Sequence, residues 1–449
     1  MESIKEKFFV AGFWRVAAIA GFLVLQAESA QGQAEEKYNG RVADTSDWGK
    51  WKRNCSDMVN EFGKETFMNC ASSAFTSRPF HFLAQSVVPG SAVGGGGRYA
   101  PDVNRGRWQN EIVATSVVTI RQFWFAELKF VGERSIRADW NKSGESLGLN
   151  IYARNRSLPS MPFYGLGPNT NVNNSVRFSQ RDTVAGIEMT SPFPEVSWLS
   201  FAGKLEGMWP NVGGVSANNV VSIQQQYTEQ TAPGLTTQPP MVHEQISLNP
   251  HARLFEPFEI DYKIAYNLYQ DTSTGHFSFR RFEANLEHHY YPQRDKRGRA
   301  RLDSEFLFRW RYSVSDTSAA NAVPFYLQET LGGSDIDNQP TLRAFRDYRF
   351  RGPNLMMVQV EYDRRLCQEC KPCGQGTLRT VCTHLGLLVA YDAGKVALRK
   401  SDLDFSGMRQ SFGGGFAIYL ADRVVFRVAV ALGGGEGAHP YFGIADFLQ

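Results

Sequence analysis

Long stretches of this chain alternate strictly between apolar and polar residues. In residues 258–268, Phe258, Ile260, Tyr262, Ile264, Tyr266 and Leu268 share one phase, while Glu259, Asp261, Lys263 and Asn267 share the other. In residues 301–312, Leu302, Phe306, Phe308, Trp310 and Tyr312 oppose Arg301, Asp303, Glu305, Arg309 and Arg311. Met356, Val358, Val360 and Tyr362 stand against Gln359, Glu361 and Asp363, and Val424, Phe426, Val428 and Val430 against Arg423 and Arg427. Successive side chains of a strand point to opposite faces, so each segment reads as a strand with one apolar and one charged face. A soluble β-sandwich alternates in the same way. Two features favour a barrel in a bilayer instead. The segments run to about ten residues or more, against about five or six in globular sheets. Their apolar faces also carry bulky aromatics toward the ends, where a membrane interface favours Tyr and Trp.

Closure follows from the medium, because lipid leaves an open strand edge unsatisfied. The expected fold is therefore all-β: a transmembrane antiparallel β-barrel of about 16 strands over residues 80–449. The clearest strands fall near 122–132, 145–156, 176–190, 196–209, 258–269, 281–291, 300–313, 354–365, 384–396, 411–420, 422–433 and 440–448. Stretches rich in Gly, Pro, Asn and Gln at 158–175, 210–242 and 333–353 read as long loops.

The first residues differ. A basic start is followed by a twelve-residue apolar core at 16–27 and then by small residues. This reads as an export signal over residues 1–34, cut after Ala30 or Ala34, with a retained anchor as the alternative. Residues 35–79 have apolar spacing closer to helical and no alternation, which predicts a short, partly helical periplasmic segment. No later run of about 20 apolar residues exists to cross a membrane as a helix.

Charge alters this picture little. Lys and Arg number 48 against 45 Asp and Glu, a net of +3, so nucleic acid is not an expected partner. A mean hydropathy of −0.34 argues against a bundle of membrane helices, and the 41 glycines suit sheets and loops better than helices.

The segment 331–352, with Leu331-Gly-Gly and then Leu342-Arg-Ala-Phe, followed by the strand 358–366, resembles the C-terminal barrel of the bacterial surface-antigen superfamily. That superfamily contains outer-membrane protein assembly factors and two-partner secretion transporters. Its hallmark tetrad sits in a long loop that folds back into the lumen. Leu342, Arg343 and Phe345 match it. Ala344 replaces the usual glycine, which puts the tight backbone geometry of the loop tip in question. Tyr391, Asp392 and Gly394 match a second hallmark on a following strand, and the phase there points Asp392 to the lumen. The stretches 162–171 and 413–434 are similar too. The resemblance implies that Arg343 pairs with Asp392, with Glu361 nearby, and pins the loop inside the barrel. Such a pair is expected to be partly hydrated and to contribute a few kcal/mol at most. The plainer reading is an exposed basic loop whose arginines are solvated. Residues 35–79 are too short for even one of the periplasmic modules that precede related barrels.

Six cysteines complete the candidate chemistry. Cys367, Cys370, Cys373 and Cys382 have the spacing of a metal or iron–sulfur ligand set. An exported chain crosses an oxidising compartment, however, so three disulfides that also use Cys55 and Cys70 are the favoured reading, with metal binding and free thiols as alternatives. By strand order the four-cysteine turn is periplasmic. The Gly-x-Ser-x-Gly pattern around Ser146 opens a barrel strand instead of a strand-to-helix elbow, so it is not read as a nucleophile. The glycine run 94–97 reads as a strand near the seam, and His288 and His289 as part of a polar strand end, with metal binding the alternative.

No cofactor and no bond-making chemistry is expected, so the protein is not read as an enzyme. The sequence predicts a bacterial outer-membrane barrel that inserts or translocates protein. Its expected partners are outer-membrane lipid, a client polypeptide and a separate periplasmic protein. A passive diffusion channel with a lumen plug is the alternative.

Overall fold

A computed structural model describes residues 79–104, 108–135, 146–193, 196–216, 220–255, 257–293, 304–366, 385–420 and 423–444. The expected export signal, the expected periplasmic segment before residue 79, all six cysteines and the last five residues lie outside the described residues.

Among the described residues, eighteen strands follow in chain order. They are β1 (Phe80–Gln85), β2 (Gly94–Tyr99), β3 (Trp108–Thr119), β4 (Trp124–Ser135), β5 (Ser146–Phe163), β6 (Val176–Phe193), β7 (Val196–Gly214), β8 (Met241–Phe255) and β9 (Phe258–Asp271). The second half contains β10 (Phe279–Tyr290), β11 (Ser304–Asp316), β12 (Glu329–Leu331), β13 (Phe350–Gly352), β14 (Asn354–Arg365), β15 (Leu385–Ala397), β16 (Arg409–Leu420), β17 (Arg423–Leu432) and β18 (Ala438–Ile444). Sixteen of them form one antiparallel meander, each strand bonded to its chain neighbour. The exceptions, β12 and β13, pair as a hairpin inside the β11–β14 connection. β1 and β18 end the sheet, and among the described residues no ladder joins them. The sheet is rolled into a barrel around the β11–β14 connection, which touches loops next to both end strands.

The expected phases appear as the two faces of this wall. On β10, Arg281, Glu283, Asn285, Glu287 and His289 share the lumen phase, while Phe282, Leu286 and Tyr290 face outward. On β11, Phe306, Phe308 and Trp310 are exposed outward, and Arg309 and Arg311 turn in. Aromatics on adjacent strands meet on the outer face, as in the Phe306–Tyr362 stack, whose centroids are 4.3 Å apart. His288 belongs to this outer face, where its Nε2 meets the Tyr262 hydroxyl at 2.6 Å. His289 faces inward onto Glu305. Among the described residues no group of His, Cys, Asp and Glu could hold a metal ion.

Two expected loops, 158–175 and 210–242, are shorter than the composition indicated. β5 runs on to Phe163 through an irregularity between Leu158 and Met161. β7 carries Pro210 and reaches Gly214, and β8 starts at Met241. In each case pairing with a neighbour already in place overrides local turn chemistry. The glycine run forms β2, next to the end strand β1, and Ser146 opens β5 as a strand residue.

Eight connections gather at one end of the barrel, here the loop end. Their side chains build a dome over the lumen in which Phe163, Phe178, Ile223, Phe325 and Tyr348 are buried. Beneath the dome, the lumen faces of β16 and β17 are lined by small residues, with Gly413 opposite Ala431 and Gly415 opposite Ala429. That leaves room for another segment inside the wall.

The outward phase makes a test of the membrane assignment. Val389 is 58% exposed on the outer face of β15. Val389→Arg is expected to cost about 2–4 kcal/mol in lipid, the range for a cation near the bilayer midplane. Asn285→Arg, facing the lumen, should cost far less. Urea unfolding in vesicles gives both values, and equal losses would contradict the two-faced wall.

Candidate functional site, a plug locked in the lumen

The segment that occupies this room is the 317–353 connection between β11 and β14. Two adjacent glycines set its shape. Gly332 and Gly333 adopt φ of 117° and 55°, a region that side chains disfavour. The reversal they make lets Gly333 exchange backbone bonds with Thr341 and Leu342, each 2.9 Å. Tyr348 N also donates to Gly332 O at 3.2 Å. The Asp335 carboxylate closes the intervening turn by accepting from Asp337 N at 3.1 Å and Gln339 N at 2.9 Å.

This double reversal delivers residues 341–345 to the lumen wall. Arg343 Nη1 donates to Asp392 Oδ1 at 2.8 Å, and the Arg343 backbone N–H donates to Asp392 Oδ2 at 3.1 Å. Nη2 donates to Glu361. Gln359 Nε2 donates to Asp392 Oδ1 at 2.9 Å and to the carbonyls of Pro340 and Thr341 at 3.1 and 3.0 Å. Arg427 on β17 reaches Glu361 from the other side at 3.2 Å. Asp392, Glu361 and Gln359 all take the lumen phase of β14 and β15, so the wall presents them as one cluster.

The cluster is dry, which corrects the expectation of partial hydration. The side chains of Arg343, Glu361 and Asp392 are 3%, 7% and 1% exposed. The plug itself excludes the water, because Leu342, Phe345 and Phe350 pack over the cluster with Leu331, Leu355 and Val396. Burial alone would lower the Arg343 pKa, but Asp392 and Glu361 beside it hold it above its ordinary value.

Ala344 shows why glycine is not required here. It is fully buried, lies outside the positive-φ region, and donates its N–H to Ser411 Oγ at 2.8 Å. The non-glycine residues of the segment with left-handed backbone are Asn338 and Tyr348, at φ 61° and 57°. Phe345 seats against Phe350, with centroids 5.3 Å apart. Gly394 lies where a β-carbon would come within 3.0 Å of Leu331 Cδ1, so its bareness makes room for the hairpin.

The other arginines of the segment divide the remaining work. Arg349 donates to Glu436 at 2.5 Å and to Thr170 Oγ1 and O at 2.6 and 2.7 Å. Arg351 is buried over the rings of Phe163, Phe178 and Phe325, donates to Phe325 O at 2.7 Å, and has no ion pair among the described residues. Burial pushes its pKa down to about 10. Arg346 remains exposed.

A second set of anchors, on β10 and β11, holds the near arm of the plug. Arg281 meets Glu329 at 3.1 Å and donates to Leu327 O at 2.6 Å. Arg311 meets Asp335 at 2.7 Å. These contacts, together with Gln359, Ser411, Arg427 and Glu436, are not visible as a motif. Strand phase assigns Arg311, Gln359 and Arg427 to the lumen, but only the folded plug supplies their partners.

The rolled meander is similar in fold to the solved barrels of BamA and CdiB. BamA from Haemophilus ducreyi, in a form lacking POTRA domains 1–3, aligns at TM-score 0.53 and 13% identity, over 81% of this chain and 68% of that one. CdiB from Escherichia coli aligns at TM-score 0.50 and 9% identity, over 81% of this chain and 61% of that one. CdiB from Acinetobacter baumannii gives 0.48 and 13%, over 81% and 58%. This chain therefore spans about three fifths of the length of the two CdiB chains. No family model and no curated protein matches the sequence.

Proposed function

We propose that this chain is a barrel of the bacterial outer membrane that inserts polypeptides into that membrane or moves them across it. The observation that carries this reading is the dry lock of Arg343 with Asp392 and Glu361. It joins the plug to the lumen wall by a few buried polar contacts. The plug-bearing loop end is the extracellular one, as long loops are in such barrels, and the turns at the other end face the periplasm. The fold shared with BamA and CdiB supports a role in insertion or translocation. Outer-membrane lipid surrounds the aromatic outer face, a client polypeptide is the cargo, and a separate periplasmic protein delivers it. No bond-making step belongs to this reading.

Conductance of the purified protein in a planar lipid bilayer tests it, with Arg343→Ala as comparison. A mostly closed wild type and a conducting variant are expected. A large, steady wild-type pore would instead make the protein a diffusion channel whose plug does not seal.

A further inference from the structure

A cavity of about 400 Å³ lies between the lumen wall of β5–β11 and the near arm of the plug. Its two sides carry opposite charge. The wall contributes Arg154, Arg156, Lys204, Lys263, Arg281 and Arg311, against two carboxylates, Asp182 and Glu283. The plug arm contributes Glu329, Asp335 and Asp337 and no cation.

Part of the wall charge is already matched. Arg156 pairs with Asp182 at 2.8 Å and Lys204 with Glu206 at 3.2 Å. Arg281 and Arg311 are matched by the plug arm itself. Arg154 and Lys263 have no ion pair among the described residues, although Glu127 stands opposite Arg154 in the β4–β5 register. Lys263 is exposed to the lumen. The arm thus occupies a basic surface with an acidic stretch of polypeptide and leaves two cations of that surface without an ion pair among the described residues.

We infer that the β5–β11 wall is a binding surface for an acidic peptide segment, and that the plug arm is its built-in occupant. A carboxylate-rich stretch coming from the turn end meets Lys263 and Arg154 first. It then competes with Glu329 and Asp335 for Arg281 and Arg311, and so frees the arm. The inference deepens the translocation reading by giving the client's chemistry and a reason for the plug to move only when a client is present.

The test measures binding to the detergent-solubilised full chain of a fluorescent peptide copying residues 326–339, beside a twin whose Glu and Asp are Gln and Asn. Wild type is expected to bind the acidic peptide weakly. Glu329→Gln with Asp335→Asn and Asp337→Asn should bind it about tenfold tighter, because the internal competitor has lost its charge. Lys263→Gln, a single change at an exposed position, should weaken binding several-fold in either background. Equal binding of the amide twin, or no effect of Lys263→Gln, would overturn the inference. So would inorganic polyphosphate of equal charge competing as well as the peptide, since the wall would then read charge alone. Peptide binding is scored without any current, so it fails independently of the Arg343→Ala conductance that tests the function.

Discussion

Arg343→Ala is expected to free the plug and to destabilise the barrel by about 3–5 kcal/mol, the usual cost of removing one partner from a buried ionic cluster. The loss is large because the carboxylates of Asp392 and Glu361 stay behind in a site that water does not reach. Asp392 keeps Gln359, and Glu361 keeps Arg427, so neither is wholly abandoned. The neutral variant Asp392→Asn should therefore be milder, and Arg343→Ala with Asp392→Asn should cost less than the sum of the two single changes. Protease cleavage within 317–353 and urea unfolding in vesicles report the two effects separately. A variant with wild-type cleavage and an unchanged unfolding midpoint would show that the cluster does not hold the plug.

Gly332→Ala should be nearly as damaging, by a different route. A β-carbon there would lie 2.4 Å from the Arg346 carbonyl oxygen and 2.6 Å from Arg349 Cβ, at a φ of 117° that alanine rarely adopts. The obstacle is backbone on a tightly bonded reversal, so no side chain can swing aside to relieve it. The expected cost is about 3 kcal/mol or more, combining overpacking and backbone strain. The readout should be a barrel that folds with its plug misplaced and conducts like Arg343→Ala. Gly275→Ala makes a good comparison, because its φ is also positive but nothing lies within 4 Å of the added carbon. If Gly332→Ala behaved like Gly275→Ala, the double reversal would not be what positions the plug.

Much of this architecture could be read from alternation, because a wall with lipid outside and water inside imposes opposite chemistry on successive residues. The reading failed where that contrast fades. β8 was not among the clear strands because Glu244 sits in its outward phase and Pro250 interrupts it, and its lumen residues are polar but mostly uncharged. The end of β5 looked like a loop because an irregularity shifts its phase and two prolines follow. At the plug, the motif around Arg343 pointed to Asp392 and Glu361 through resemblance, and strand phase placed both carboxylates inside. The dryness of the cluster was not legible, since it arises from Phe345 and Leu342 packing after the chain has reversed twice. Nor were Arg281 and Arg311 distinguishable from any other inward arginine until the arm supplied Glu329 and Asp335.

One pair of neighbours in the plug has a mechanical consequence. The Tyr348 hydroxyl donates to Pro89 O, between β1 and β2, at 3.3 Å. Arg349, the next residue, grips Glu436, between β17 and β18. A single peptide unit therefore fastens the first and last staves of the cask across a joint where no ladder forms among the described residues. The plug acts as both stopper and hasp, and whatever draws it from the lumen also unlatches the side of the barrel.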